Sequence, residues 1–245
     1  MLKTMGKKIG IIVCALLICL APSARADDRR LITKSAWEAY GQEEQLLYKE
    51  TPEVIQRMLE TAYDAYTEVG GKRLKRSNTY TRWYYGAGNE VGWCNVFIAW
   101  CMAQQDIALY RFKEIFPMPE EEIFHIRVAR IPQLFKAFET AGRVSALPRP
   151  GYSIIYASRS GLWEMHVGIV YSTELQADGR YLIETIEGNQ KDTIRHYLFL
   201  YDPHTPFKEG NMRFFENAPE GADELLVITP RNSAWCVKGF GATWK

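Results

Sequence analysis

Hydrophobic and polar positions divide the chain into two halves with different periods. Between residues 52 and 68, apolar side chains recur at Val54, Ile55, Met58, Leu59, Ala62, Tyr63, Ala65 and Tyr66. Steps of three and four of this kind predict an amphipathic helix. Thr51 is placed as its N-cap with Pro52 in the first turn, and Gly70-Gly71 ends it. A second helix begins at Cys94, where Phe97, Ile98 and Cys101 fall on one stripe that buries a single face. Gly86, Gly88 and Gly92 let the chain turn into that helix, and a third helix covers about 132 to 141, ending at Gly142.

From Pro150 the period falls to two. Residues Tyr152 to Ala157, His166 to Ser172, Tyr181 to Glu187, Thr193 to Leu200, Glu224 to Ile228 and Trp235 to Gly241 read as six short strands. Asp178-Gly179 marks a hairpin between the second and third. Helices followed by strands predict an α+β domain built on an antiparallel sheet of about six strands. The segment 110–146, with Pro117, Pro119, Pro132 and the run Glu120-Glu121-Glu122, reads as a connector, and 202–223 as a long surface loop. Both are insertions in one domain spanning 51–245, and His125 within the first reads as structural.

Alternation along the strands sorts the polar side chains. His166 shares a face with Gly168 and Val170, Glu187 shares one with Ile183 and Thr185, and Glu184 points the other way. If the hairpin loop covers about 174 to 179, paired residue numbers sum to 353 and His166 lies directly across from Glu187. A neighbouring strand about 4.8 Å away is close enough for a carboxylate to orient the imidazole.

The amino terminus changes the count of residues available to the fold. Lys3, Lys7 and Lys8, the apolar run 9–20 and Ala24-Arg25-Ala26 form the pattern of a secretory signal peptide over residues 1–26, and 27–50 reads as a partly helical lead-in. The apolar run is shorter than the roughly 20 residues a membrane span needs, so no stable membrane anchor is expected after cleavage. Removing the leader leaves 219 residues, enough for one well-buried domain. It also takes four of the 30 basic residues, leaving 26 against 29 acidic ones, a formal charge of −3. That balance argues against a nucleic-acid partner.

Cys94, Cys101 and Cys236 remain. Cys94 and Cys101 cannot pair on one helix, because seven residues put them roughly 10 Å apart; Cys236 either pairs with Cys101 or both are reduced. Cys94 stands out because the first turn of a helix favours a thiolate over a thiol. The stretch Lys72 to Tyr85 before it holds five basic residues and four aromatics, read as a solvated loop able to touch an anionic or sugar-bearing substrate. Trp93, Tyr85 and Trp163 are the candidate substrate contacts. Gly86-Ala87-Gly88 follows no strand and is not a phosphate loop. No cysteine-histidine spacing suits a metal, and no cofactor is expected.

The ordered set Trp93-Cys94-Asn95-Val96-Phe97-Ile98-Ala99-Trp100-Cys101, Pro150-Gly151, His166-Val167-Gly168-Ile169-Val170 and Ile186-Glu187-Gly188-Asn189 resembles the cysteine, histidine-dependent amidohydrolase/peptidase (CHAP) family, a branch of the papain-like fold shared with NlpC-type cell-wall peptidases. The resemblance covers roughly residues 50 to 200. It implies Cys94 as nucleophile, His166 as base, Glu187 as the residue orienting the imidazole and Asn189 as a supporting polar group. Tyr152 stands where the family usually has aspartate, and Asn95 where it usually has alanine. The implied activity is hydrolysis of an amide in peptidoglycan or a peptide by an exported enzyme. The alternatives are a transamidase on the same scaffold and a catalytically silent wall-binding protein.

Overall fold

The computed structural model describes residues 50–86, 92–111, 122–158, 160, 164–218, 222–228 and 235–245. The leader, nearly all of the lead-in, Gly88, Trp163, Pro117, Pro119, Glu120 and Glu121 lie outside the described residues. Among the described residues, four α-helices precede a single antiparallel sheet of seven strands. The helices are α1 (Glu53–Val69), α2 (Thr79–Tyr85), α3 (Cys94–Ala103) and α4 (Ile131–Thr140). The strands are β1 (Val144–Ser145), β2 (Ser153–Ser158), β3 (Glu164–Leu175), β4 (Tyr181–Glu187), β5 (Arg195–Tyr201), β6 (Met212–Arg213) and β7 (Trp235–Gly241), ordered β1-β7-β2-β3-β4-β5-β6.

The sheet corrects the six-strand expectation at its edges. Two two-residue strands, β1 and β6, are added, and the 202–223 loop contains β6. Glu224 to Ile228 is not a strand: it is a turn carrying one bridge, from Val227 to Tyr197. Its alternating pattern comes from Leu226 packing on Leu198 and not from a ladder.

α1 runs one residue later than its apolar pattern. Pro52 occupies the cap position with no side-chain capping bond, and Gly70 closes the helix with a left-handed φ of 54°. The stretch 72–85, expected as loop, ends in α2. Asn78 Oδ1 accepts from the amides of Tyr80 and Thr81 while Thr81 Oγ1 accepts from the amide of Asn78. This reciprocal cap satisfies the orphan amides of a helix only seven residues long.

α3 departs from its expected single buried face. Cys94 through Ala99, with Cys101 and Met102, are all buried, so the helix is enclosed on nearly every side. An all-round apolar helix belongs in the core, where α1, α2 and β3 pack against it. The segment 122–128, expected as a connector, supplies another wall: Phe124, His125 and Ile126 are fully buried. The carboxamide of Asn95 donates to the carbonyl of Val128 at 2.6 Å, and its oxygen lies 3.0 Å from His125 Nε2. Because Asn95 uses its N–H groups on backbone carbonyls, His125 must be the donor in that second bond. Burial pushes the His125 pKa down to about 3, so this imidazole is neutral.

Candidate active site

β3 and β4 form the floor of the site, in a register different from the expected one. Ile169 pairs with Ile186 and Val170 with Thr185, a sum of 355, and a bulge between Val170 and Ser172 shifts the rest to 356. The hairpin loop closes later, with Leu175 paired to Tyr181. His166 is therefore two residues from the position opposite Glu187. A slip of two preserves the face, because side chains repeat every second residue. The imidazole reaches across diagonally, and His166 Nε2 lies 2.9 Å from Glu187 Oε2.

Two glycines allow this approach. A Cβ on Gly168 would sit 2.7 Å from Glu187 Cγ, and one on Gly188 would sit 2.6 Å from Phe97 Cβ and 2.9 Å from Trp93 Cζ3. Only glycine at these two places lets Glu187 lie over β3 and the start of α3 press against the end of β4.

The Glu187 carboxylate is held on both oxygens. Tyr156 donates to Oε1 at 2.6 Å and Thr185 donates to Oε1 at 2.7 Å, while Gln190 Nε2 donates to Oε2 at 2.7 Å beside His166. Burial opposes ionisation of Glu187, but the bond from His166, its charge and the hydroxyl donors outweigh it and hold the carboxyl below its usual range. Burial likewise opposes a charge on His166, yet hydrogen bonds to Cys94 and Glu187, with their negative charges, push its pKa up to about 10. Since Nε2 faces the carboxylate, Nδ1 is the imidazole nitrogen left for the Cys94 sulfur. Two aromatic rings lie along the imidazole: Trp235 at 5.3 Å and Tyr156 at 5.9 Å between centroids, each within 30° of parallel.

Cys94 is the first residue of α3, which has no side-chain cap, so its opening amides are not consumed by a neighbouring side chain. All three described cysteines are free, which leaves Cys101 and Cys236 unpaired with each other. Burial pushes the Cys101 thiol well up, keeping it protonated. Among the described residues, no three histidine, cysteine, aspartate or glutamate side chains are placed to share a metal ion.

The sequence candidates are thus partly assembled. Cys94, His166 and Glu187 come together. Asn189 is half-buried in a left-handed turn, φ 62°, and among the described residues no side-chain hydrogen bond joins it to His166 or Glu187. Its neighbour Gln190 takes that place. Trp93 is buried and stacks on Tyr80 at 5.4 Å, so it seats α3 in the core and does not offer an open contact surface. Among the described residues the buried Tyr85 hydroxyl has no hydrogen-bond partner, and burial, then the charges of Tyr84 and Cys94, push its pKa up to about 12. Tyr152, in place of the expected aspartate, packs edge-on against Trp244, whose indole donates to the carbonyl of Pro150. Tyr156, Thr185, Gln190 and Trp235 were missed; Thr185 alone carried a signal, sharing the Glu187 face by alternation. Comparison with protein-family models, with curated proteins and with solved structures gives no match for this chain in any of the three.

Proposed function

We propose that the protein is an exported cysteine-dependent amide hydrolase of the papain-like, CHAP-related type, acting on peptidoglycan through a thioester. The observation that supports this reading most is the buried Cys94–His166–Glu187 relay, with His166 bonded to Glu187 at 2.9 Å and to Cys94.

In this mechanism the proton shared by the Cys94–His166 pair rests on the imidazole, whose pKa is pushed up to about 10, and Cys94 Sγ attacks the carbonyl carbon of the scissile amide as the thiolate. Negative charge moves to the carbonyl oxygen and is stabilised by amides in the uncapped first turn of α3. The phenol of Tyr85 is a further donor on that side. The imidazolium then protonates the leaving nitrogen, the C–N bond breaks and the amine departs. Water attacks the thioester while His166 accepts its proton; the C–S bond breaks, the carboxylic acid is released and Sγ leaves as the thiolate beside the imidazolium, which restores the resting pair. Glu187 stays ionised throughout, fixed by Tyr156, Thr185 and Gln190 so that it holds the imidazole in one tautomer. No step calls for a metal.

The test is digestion of purified sacculi followed by mass spectrometry of the released fragments. Cleavage generates new amino termini inside the stem or cross-bridge for a peptidase, or intact stem peptides with a free first-residue amino terminus and peptide-free glycan strands for an amidase, and Cys94→Ala generates neither. Release that survives Cys94→Ala, or that stops in chelator and returns with zinc, contradicts the proposal.

A further inference from the structure

From Gly70 to Asn89 the chain has no acidic residue but five basic ones, Lys72, Arg73, Lys75, Arg76 and Arg82. Taking these from the 30 basic residues leaves 25 against 29 acidic ones, so a +5 segment stands on a remainder of −4. All five side chains are exposed.

The segment is tied to both ends of the site. Arg73 donates twice to Asp192 Oδ2, at 2.9 and 2.7 Å, and the amide of Leu74 bonds the Asp192 carbonyl at 2.7 Å. Asp192 belongs to the turn after β4 that carries Gln190, which holds Glu187. At the other end, Arg82 lies one helical turn before Tyr85, the residue whose phenol feels the Cys94 charge. A sixth exposed cation joins there: the Arg127 guanidinium lies 4.9 Å over Trp83 and 5.0 Å over Tyr84, donates to the Tyr84 carbonyl at 3.1 Å, and forms no ion pair among the described residues. Lys72 and Lys75 form no ion pair among the described residues.

A surface of one sign beside a reaction site raises the local concentration of oppositely charged ligand, and the effect weakens with salt. We propose that this cationic rim binds carboxylates of the polymer being cut, so that the scissile amide lies in an acidic peptide strand. The inference rests on the amide-hydrolase reading. It assigns the anion to the substrate's own carboxylates, and not to a separate phosphate polymer, because the rim runs from the turn behind Glu187 to α2, which packs against the helix that begins at Cys94.

The test uses the purified protein carrying Cys94→Ala, with and without Lys72→Glu and Lys75→Glu, two changes in exposed coil. Binding is measured by co-sedimentation with sacculi stripped of phosphate polymers, at about 20 mM and about 300 mM salt, conditions that span strong and weak screening. The parent should lose about tenfold in affinity at the higher salt. The double change should lower low-salt affinity about tenfold and remove most of the salt dependence. Sacculi whose carboxylates have been amidated should bind both proteins equally weakly. Equal binding of parent and double variant, undiminished binding to amidated sacculi, or binding that needs the phosphate polymer overturns the inference. Hydrolysis by the enzyme with Cys94 intact is followed in parallel. Its absence alongside charge-dependent binding counts against the catalytic reading alone, and its presence without charge dependence counts against the rim alone.

Discussion

β4 carries two buried histidine–glutamate pairs, one on each face of the sheet, and they differ in what surrounds them. On one face Glu187 meets His166, and three further donors fill its carboxylate. On the other, Glu184 Oε2 lies 2.7 Å from His196 Nε2, and Ser172 donates to Oε1 at 3.1 Å. Both pairs are nearly inaccessible, so burial does not separate them. The free nitrogen of each imidazole does. In His166 it is left for Cys94, whereas Nδ1 of His196 is buried with no hydrogen-bond partner among the described residues, in a ring that makes T-shaped contacts with Tyr63, Tyr66 and Tyr171. A histidine–carboxylate pair is therefore a packing unit by default. The proposed chemistry requires a third group on the far nitrogen, and among the described residues the 187 side supplies one where the 184 side does not.

Substitution should break the symmetry of the two pairs most sharply in turnover. Glu187→Gln is expected to lower kcat on sacculi by about 10² to 10⁴, as for loss of an imidazole-orienting carboxylate. Glu184→Gln should stay within about threefold of the parent. Equal losses would mean that the far nitrogen does not decide function.

The pH profile sharpens the same contrast. His166 is pushed up to about 10, so the imidazolium that protonates the leaving amine persists to that pH and activity should fall on the alkaline side near 10. Removing the Glu187 charge removes one of the interactions that raise it. In Glu187→Gln the alkaline fall should therefore move to lower pH, while in Glu184→Gln it should not move; kcat/KM measured from pH 6 to pH 11 reads this directly.

Stability should respond to the 184 pair even though turnover does not. Glu184→Gln alters the hydrogen-bond partner of buried His196 and Ser172, at a cost of about 1–3 kcal/mol in chemical denaturation. A stability unchanged within error would show that the pair contributes nothing to the packing of α1 on the sheet.

A further contrast compares His166 with His125 in their pH linkage. His166, raised above its unfolded value of 6.5, contributes stability that is full below pH 6.5 and lost as pH rises towards about 10. His125, depressed to about 3, contributes stability present above pH 6.5 and lost as pH falls from there towards 3. His125→Gln should flatten the acid slope of unfolding free energy between pH 6.5 and 4, and His166→Gln the alkaline one. Urea unfolding at four or five pH values distinguishes them.

Period-two alternation made the site legible as far as the face of each strand. It put His166 and Glu187 together and Glu184 opposite them, and that sorting survived a register error of two because the error was even. The register itself was hidden in the bulge between Val170 and Ser172 and in the length of the hairpin loop, neither of which leaves a mark in hydrophobicity. Donors arriving from strands distant in sequence were also hidden. Tyr156 on β2 and Trp235 on β7 look like any aromatic of a buried strand until the sheet order sets them beside β3. Asn78-x-x-Thr81, by contrast, was a readable capping signal for α2 that the basic run around it obscured. The role of 122–128 in seating α3 rests on Asn95, a polar residue in an apolar helix whose partner lies across a segment of no regular structure.

Site-resolved alkylation tests the central claim most directly. The folded protein is treated with iodoacetamide at neutral pH, the label on each cysteine is followed by peptide mass spectrometry, and residual hydrolysis of sacculi is measured on the same samples. Activity should disappear in one-to-one proportion with label on Cys94, while Cys101, buried with its thiol pushed well up, stays unlabelled and Cys101→Ser retains most of the activity. Hydrolysis that persists after Cys94 is fully labelled, or that falls in step with label on Cys101 or Cys236, would contradict the assignment of Cys94 as the nucleophile.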